Sequence, residues 1–134
     1  MIQVLAILLL SHQHVIAPEF EGIASYYTVE SSSSTTASGE PMSDAALTCA
    51  LPEGEFGSYY RFSAENGRTV ICRLNDRGPH IKGRIADLSE AAMRALHPTA
   101  GLIQVTVDRV PDSQVPELLK AQEKQLARRF PRAY

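Results

Sequence analysis

The chain has 134 residues with 13 basic and 15 acidic side chains, and its formal net charge at pH 7 is −2. This length fits one domain with a hydrophobic core of its own, and the lack of a basic excess argues against a nucleic-acid-binding surface. Tryptophan is absent, which argues against a sugar-binding surface built from exposed indoles.

The chain begins with an apolar run at 4–10. The run is much shorter than the roughly 20 residues of a membrane-spanning helix, and it fits the core of a secretory signal peptide cleaved before Pro18. No Lys or Arg precedes it, so a misplaced start codon or a buried N-terminal strand is the alternative. We expect a signal peptide at 1–17 and an exported protein of the periplasm or the extracellular cell envelope. Because the first cysteine is Cys49, a lipid anchor is not expected.

The next part of the chain predicts two strands separated by a polar loop. Residues 22–29 are rich in aromatic and β-branched side chains, which is typical of a strand. The run at 31–38 consists almost entirely of serine and threonine, and it predicts a loop that Gly-Glu-Pro at 39–41 closes. A short apolar run at 45–50 then predicts a second strand.

The sequence at 59–74 predicts a β-hairpin. Two runs of strand-forming residues, 59–62 and 69–74, flank Glu-Asn-Gly at 65–67, and Asn-Gly is a strong short-range hairpin signal. Asn-Asp-Arg-Gly-Pro follows directly at 75–79 and places ionisable side chains where the backbone must turn. Binding and catalytic groups often lie on such turns, and a structural turn without substrate contact is the alternative.

A helix is predicted behind this turn. Residues 84–86 predict a brief strand, and Asp87 predicts the start of a helix that ends before Pro98. Asp87 with Glu90 three residues later resembles a capping box. We therefore expect Asp87 to be a helix cap.

Residues 102–107 predict a last strand, and the segment after Pro116 predicts a short, peripheral amphipathic helix. Many short strands with one compact helix indicate a mainly β protein, a small β-barrel. We expect the barrel domain to span 18–112 and a C-terminal helical tail to span 113–134.

The two cysteines, Cys49 and Cys72, each lie in an apolar, strand-like context. In an exported protein they predict one disulfide between neighbouring strands. The alternative is a pair of small buried hydrophobic side chains. Neither cysteine has an adjacent base in the sequence, which argues against a nucleophilic role.

Four motifs of this chain occur in the order of one known family: Gly-Ile-Ala-Ser-Tyr-Tyr at 22–27, Thr-Ala-Ser-Gly-Glu at 36–40, Asn-Asp-Arg-Gly-Pro at 75–79, and Gly-Arg-Ile-Ala-Asp-Leu-Ser at 83–89. Together they resemble the rare lipoprotein A (RlpA)-like family of bacterial septal-ring lytic transglycosylases. The resemblance implies a six-stranded double-psi β-barrel with one short helix after the Asn-Asp-Arg-Gly-Pro turn. Members of the family bind or cleave peptidoglycan glycan strands, and expansins have a similar barrel.

The resemblance implies an endolytic lytic transglycosylase, which cleaves MurNAc-β-1,4-GlcNAc bonds and forms 1,6-anhydro-MurNAc. Glycoside hydrolases usually employ two carboxylates, whereas one acid/base suffices for this reaction. Asp76 is the candidate acid/base, and Glu40 is the second catalytic candidate. The alternatives are that Asp76 anchors the turn by accepting backbone N–H bonds and that Glu40 is a solvated surface group.

The same motifs supply the candidate substrate-binding residues, whose side chains are aromatic, polar or basic: Tyr27, Ser38, Asn75, Arg77, His80 and Arg84. Arg77 has to point away from Asp76 if Asp76 is the proton donor, since a paired guanidinium favours the charged carboxylate. An ion pair between Arg84 and Asp87 is the alternative to substrate binding. Tyr26 and Tyr27 alternate faces, so one belongs to the core and the other is free to stack on a sugar.

The chain departs from the family at Leu51, where the family usually has a histidine, and at His80, where an aromatic residue is usual. The missing histidine favours a second interpretation, a non-catalytic, expansin-like polysaccharide-binding or wall-loosening module. A barrel that serves only as a scaffold is a third. We expect no cofactor, no metal and no nucleic acid. The expected partners of this monomer are peptidoglycan glycan strands and cell-division or envelope proteins.

Overall fold

The computed structural model describes residues 20–32 and 34–131, and the predicted signal peptide at 1–17 lies outside them. In the described part of the chain, six strands and two α-helices follow one another, with a 3₁₀ turn at Asp112–Gln114 before the second helix. The elements are β1 (Phe20–Tyr27), β2 (Thr48–Ala50), β3 (Tyr59–Ala64), β4 (Thr69–Asp76), β5 (Arg84–Ser89), α1 (Glu90–Leu96), β6 (Leu102–Arg109) and α2 (Val115–Arg129).

The six strands form a closed barrel in the order β1-β5-β2-β4-β3-β6. Two neighbouring pairs are parallel, β1 with β5 and β2 with β4, and the other pairs are antiparallel. Closure leaves no exposed edge along the barrel wall, which removes the risk of edge-to-edge association. This barrel, with one short helix after β5 and a helix at its C-terminal side, confirms the predicted fold class.

The predicted hairpin is β3 and β4, whose register pairs Phe62 with Val70 and Ser63 with Thr69. Its turn is closed by an Asn66 side chain, whose Oδ1 accepts a hydrogen bond from the Arg68 N–H at 2.9 Å. Gly67 lies at a φ of +88°, in the left-handed region that glycine adopts without steric cost. The hairpin positions the end of β4, and with it residue 76, in the barrel wall.

The barrel interior is filled by aliphatic and aromatic side chains, with Phe62 fully buried among them. Cys49 and Cys72 belong to this core as free thiols, which differs from the predicted disulfide. The register explains the difference, because Cys49 pairs with Leu74, two residues beyond Cys72. From the strand spacing and rise, the Cα atoms of the two cysteines are about 8 Å apart, which is too far for a disulfide without backbone movement.

The cap of α1 also differs from the prediction. The strand β5 continues through Asp87 to Ser89, and the Ser89 hydroxyl accepts the Ala92 N–H bond as the N-cap. Asp87 is therefore a strand residue, because the parallel pairing of β5 with β1 continues to Ser89 and delays the helix by two positions. The helix ends at Leu96, ahead of Pro98, as predicted.

The helix α2 lies against the outside of the barrel, with no buried residue of its own. Leu126 packs against the core cluster, and the Arg129 guanidinium donates to the Ala95 carbonyl at 2.8 Å. This confirms a peripheral C-terminal helix. Among the helices of the described residues, none has the length and apolar character needed to cross a membrane.

Candidate active site

Four neighbouring strands display a row of side chains on the outer face of the barrel. The register places Ser25 of β1 opposite Asp87 of β5, Asp87 opposite Ala50 of β2, and Ala50 opposite Asp76 of β4. Because their chain neighbours Ala24, Cys49 and Leu88 lie in the core, and successive side chains of a strand alternate between faces, this row faces outward.

Asp76 enters the row through an irregularity in the pairing of β2 with β4. The register shifts between Cys49 and Ala50, so that Asp76 rather than Asn75 lies opposite Ala50. An extra residue of this kind re-aims the side chain that follows it. Asn75 is buried, and its carbonyl accepts a hydrogen bond from the Ser38 N–H at 3.1 Å. The bulge therefore turns the Asp76 carboxyl group toward the surface and fastens the 36–40 loop beside it.

The Asp76 carboxyl group is half-buried and held from one side. Its Oδ1 accepts hydrogen bonds from the N–H groups of Ala37 and Arg77, both at 2.9 Å. The bond to Ala37 spans 39 residues of sequence and fixes the serine-rich loop against the end of β4. Asp76 therefore does anchor the turn by accepting backbone N–H bonds. Its carboxyl group nevertheless stays partly exposed to solvent.

The 36–40 loop is organised by its own hydrogen bonds. The Thr36 N–H donates to the Glu40 carbonyl, and the Gly39 N–H donates to the Thr36 carbonyl, both at 2.9 Å. The Thr36 and Ser38 hydroxyl groups lie 2.8 Å apart, and the Ser38 hydroxyl reaches Glu40 Oε1 at 3.4 Å. Together with the bonds to Asn75 and Asp76, this arrangement brings Glu40 and Asp76 to the same end of β4.

Glu40 forms an ion pair with Arg73, whose Nη1 lies 2.6 Å from Glu40 Oε1. The hydrogen bond from Arg73 lowers the pKa of the Glu40 carboxyl group below its ordinary value, and bonds from Asn75 and Ser38 act in the same direction. Glu40 therefore carries a negative charge near neutral pH. In this state it has no proton to donate, and its chemical contribution is a fixed charge and hydrogen-bond acceptors.

Arg77 points away from Asp76. Its Nη2 donates to the Gly54 carbonyl at 2.6 Å, and its guanidinium lies over the Phe56 ring at 4.1 Å from the centroid. This placement meets the requirement for Asp76 to act as a proton donor. It also ties Arg77 to the loop before β3, and the substrate-binding role of Arg77 stays a prediction.

The remaining predicted basic residues lie outside the Asp76–Glu40 cluster. His80 is exposed on the turn after β4. Arg84 lines a separate cleft of about 280 Å³ together with Leu51. Among the described residues Arg84 forms no ion pair with Asp87, since Asp87 Oδ1 accepts a hydrogen bond from the Ser25 hydroxyl instead.

Tyr27, one of the predicted substrate-binding residues, is buried. Its hydroxyl group lies 2.9 Å from Thr48 Oγ1, and burial raises the pKa of Tyr27 to about 12. Tyr26 packs against the core, and the Arg94 guanidinium covers its ring at 5.0 Å. Both rings therefore contact other parts of the protein: Tyr26 contacts Arg94 of α1, and Tyr27 contacts Thr48 of β2.

Leu51 takes the position of the family's histidine directly behind the row. Its N–H donates to the Asp76 carbonyl at 3.3 Å, and its side chain is 1% exposed and part of the core cluster. The position therefore touches the backbone of Asp76 but supplies no polar group to it.

Two residues of this site, Arg73 and Asp87, are absent from the sequence-based candidates. Arg73 interrupts the otherwise apolar run of β4, which was the available signal for an outward-facing charge. Asp87 was missed because Asp87 and Glu90 resemble a capping box, which assigned Asp87 to the start of a helix. Asp76 and Asp87 flank Ala50 in the row, so that their Cα atoms are roughly two strand spacings, about 10 Å, apart. The described residues contain no group of His, Cys, Asp and Glu suited to a metal ion.

Comparison with known families gives one match over most of the barrel. Residues 19–107 match the family described as lytic transglycolase. This segment includes the first five strands, α1 and most of β6, and it ends before α2.

Curated relatives match more than half of the chain. Endolytic peptidoglycan transglycosylase RlpA of Yersinia pestis is 46% identical over 77 residues, which are 57% of this chain and 21% of the relative. The protein of the same name in Escherichia coli (strain K12) is 39% identical over 90 residues, 66% of this chain and 25% of the relative. The probable endolytic peptidoglycan transglycosylase RlpA of Treponema pallidum is 40% identical over 97 residues, 71% of this chain and 30% of the relative. The chain therefore spans under a third of the length of these relatives.

Solved structures with this fold come from two other kinds of protein. A Streptomyces papain inhibitor superimposes with a TM-score of 0.53 and 25% identity, covering 70% of this chain and 99% of the inhibitor. An expansin of Clavibacter michiganensis gives the same TM-score and identity, covering 69% of this chain and 50% of the expansin.

Proposed function

The chain belongs to the lytic transglycolase family, and from this premise we propose that it cleaves peptidoglycan glycan strands at MurNAc-β-1,4-GlcNAc bonds without hydrolysis. The relatives named as endolytic peptidoglycan transglycosylases support this activity. The observation that carries the proposal is the meeting of Asp76 and Glu40 at one end of β4, joined through the 36–40 loop.

The reaction requires one group that first gives and then takes a proton. Asp76 donates its proton to the glycosidic oxygen as the C1–O bond breaks and positive charge develops on the MurNAc ring. The 6-hydroxyl oxygen of the same MurNAc then bonds to C1, and its proton passes to the Asp76 carboxylate. The product is a 1,6-anhydro ring, and the carboxyl group regains its starting state.

Glu40 supports this reaction as a fixed negative charge. Since the Arg73 ion pair lowers the pKa of the Glu40 carboxyl group, Glu40 stays charged, and the proposal gives the role of proton donor to Asp76. A negative charge preorganised beside the cleaved bond stabilises the positive charge that develops on the sugar. Ser38 and Asn75, which both bond to Glu40, hold it in place, so their role is to position a catalytic group.

A second candidate function is an expansin-like module that binds or loosens the glycan network without breaking a bond. Two observations favour it: the structural similarity to an expansin, and Leu51, which supplies no polar group behind Asp76. The two functions differ in one outcome, the appearance of new chain ends.

We place this activity in the cell envelope, where peptidoglycan lies, and assign it to a barrel domain at 18–112. The signal peptide at 1–17 supplies the route of export in this proposal. The protein acts as a monomer on glycan strands, with cell-division or envelope proteins as further partners.

The test is mass spectrometry of isolated sacculi after incubation with the protein. We expect 1,6-anhydromuramyl products with the native chain and none with Asp76→Asn, which keeps an oxygen for the N–H bonds of Ala37 and Arg77 but has no proton to transfer. Asp112→Asn, an exposed carboxylate at the start of the C-terminal segment, is the matched control and should leave product yield unchanged. Binding of the native chain to sacculi with no anhydro products contradicts the enzyme and supports the expansin-like module.

A further inference from the structure

A cleft of about 310 Å³ lies between α2 and the outer face of the barrel. Its barrel wall includes Thr48, Tyr59 and Arg73, and its helix wall is formed by Leu119 and Gln122. We call it the helix cleft. The helix that closes it lies beyond the segment that matches the lytic transglycolase family, so this wall is not part of the matched barrel.

The helix cleft lies next to the Asp76–Glu40 cluster, and Arg73 belongs to both. The register places Thr48, Arg73 and Tyr59 side by side across β2, β4 and β3. Arg73 lines the cleft and also holds Glu40 at 2.6 Å. Because Arg73 and Asp76 are three residues apart on one strand, the cleft begins roughly 10 Å from Asp76 along β4. A polymer bound across Asp76 in this direction therefore reaches the cleft.

A single glutamine fixes the helix wall in place. Gln122 Oε1 accepts a hydrogen bond from the Ile71 N–H at 2.8 Å, and Gln122 Nε2 donates to the Ile71 carbonyl at 3.0 Å. Strand β2 begins only at Thr48, opposite Arg73, so Ile71 lies beyond the end of β2. The Gln122 amide thus takes the place of a neighbouring strand. With both of its polar atoms bonded to the backbone, Gln122 acts as a positioning residue.

The side chains of the helix cleft suit a sugar ring. Tyr59 is half-buried and supplies an aromatic ring with a hydroxyl group at its tip. Leu119 offers an apolar surface on the opposite wall. Arg73 has five N–H donors, and only Nη1 is engaged with Glu40. A site with apolar walls and a few fixed polar groups is typical of small-ligand pockets, and a sugar of a glycan strand has the matching C–H faces and hydroxyl groups.

We propose that the helix cleft is a subsite for a sugar of the bound glycan strand, distant from the bond that is cleaved, in which Tyr59 contacts the sugar and α2 forms the second wall. This inference rests on the proposed function, because it takes the ligand to be the same glycan strand. It makes the C-terminal helix a specificity element that favours long strands over short fragments.

The test measures dissociation constants for peptidoglycan glycan strands freed of peptides, compared with a disaccharide fragment of the same polymer, in the Asp76→Asn background to prevent turnover. Tyr59→Ala should weaken binding of long strands about tenfold, the loss expected for one aromatic contact, and leave the disaccharide unchanged. Tyr59→Phe should stay close to the native affinity. Phe130→Ala, an exposed aromatic residue that does not line the cleft, is the control.

The positioning role of Gln122 is tested in the same assay. Gln122→Ala should weaken binding of long strands in the same direction as Tyr59→Ala, and Gln125→Ala, an exposed glutamine on the same helix, should not. Native affinity of Tyr59→Ala for long strands overturns the inference while anhydro products of the native chain still support the proposed function. Absence of any binding to glycan strands by the native chain overturns both.

Discussion

At the scale of single residues, the two carboxyl groups of the site differ in the partners that hold them. Glu40 is committed to Arg73, and this ion pair lowers its pKa. Asp76 is held by two backbone N–H groups, and within the described part of the chain it forms no ion pair, since Arg77 is directed to Gly54 and Phe56. The division of roles between the two acids therefore follows from where two arginines point.

The ion pair predicts a measurable change in the titration of Glu40. In Arg73→Gln the pKa of the Glu40 carboxyl group should rise toward its ordinary value of about 4.3, because the hydrogen bond from Arg73 is the main cause of the lowering. Carbon-detected NMR titration measures this directly. Arg109→Gln, which removes the exposed ion pair with Asp112, should leave Glu40 unchanged. An equal Glu40 pKa in both variants contradicts the assignment.

The same shift gives a pH dependence of stability. A carboxyl group with a lowered pKa in the folded state stabilises fully above its unfolded pKa of about 4.3, and this contribution is lost as the pH falls through the folded value. The pair is partly exposed, so screening limits the contribution to less than about 1 kcal/mol. Urea unfolding should be measured between about pH 6 and about pH 3, a range that includes the reference pKa. Over this range the free energy of unfolding should fall less for Arg73→Gln than for the native chain.

At the scale of elements, the junction of β5 and α1 decides the role of Asp87. The strand continues to Ser89, which caps the helix, and this leaves Asp87 in the outward row with Asp76. The motif at 83–89 is thus a strand that carries a polar side chain to the site and then begins a helix. The helix α2, in turn, is held against the barrel by the Gln122 amide, the packing of Leu126 and the Arg129–Ala95 hydrogen bond.

The cap assignment predicts a stability difference between two serines. Ser89→Ala should lower the free energy of unfolding by about 1 kcal/mol, because the Ala92 N–H would lose its acceptor. Ser113→Ala, at an exposed position of the 3₁₀ turn, should change it by less than about 0.5 kcal/mol. Urea titration followed by circular dichroism measures both. Equal effects of the two substitutions would show that Ser89 is not the cap.

At the scale of the whole molecule, the closed barrel determines which groups meet solvent. Closure buries both cysteines in the interior, and burial raises the pKa of each thiol. Thiolates are the reactive form of cysteine, so the native barrel protects both side chains. Closure also makes β1, β5, β2 and β4 neighbours, which brings the side chains of the row together.

This burial predicts that thiol labelling reports on global unfolding. In the native state both thiols should react with an aromatic disulfide reagent far more slowly than a free peptide thiol, and both should react promptly in denaturant without a reductant. Mass spectrometry counts the labels. Rapid labelling of the native chain contradicts the closed core. If the cysteines stay unlabelled in denaturant without a reductant, they form the disulfide that the sequence predicted.

The sequence by itself determined the elements whose signals are local. The Asn-Gly turn with its flanking apolar runs defined the β3–β4 hairpin, and Pro98 defined the end of α1, because turn chemistry and steric exclusion act over a few residues. The order of the four motifs identified the barrel and placed Asp76 and Glu40 among the candidates. The sequence therefore predicted two carboxyl groups of the candidate site, those of Asp76 and Glu40, without knowledge of the fold.

Only the tertiary structure decided which of these residues meet. The Glu40–Arg73 ion pair, the role of Asp87 and the separation of Cys49 from Cys72 depend on the register between strands that are distant in the chain. A shift of one residue in that register exchanges inward and outward faces, and no local pattern encodes it. The same register places Tyr59 and Arg73 side by side, where they line the cleft that α2 closes.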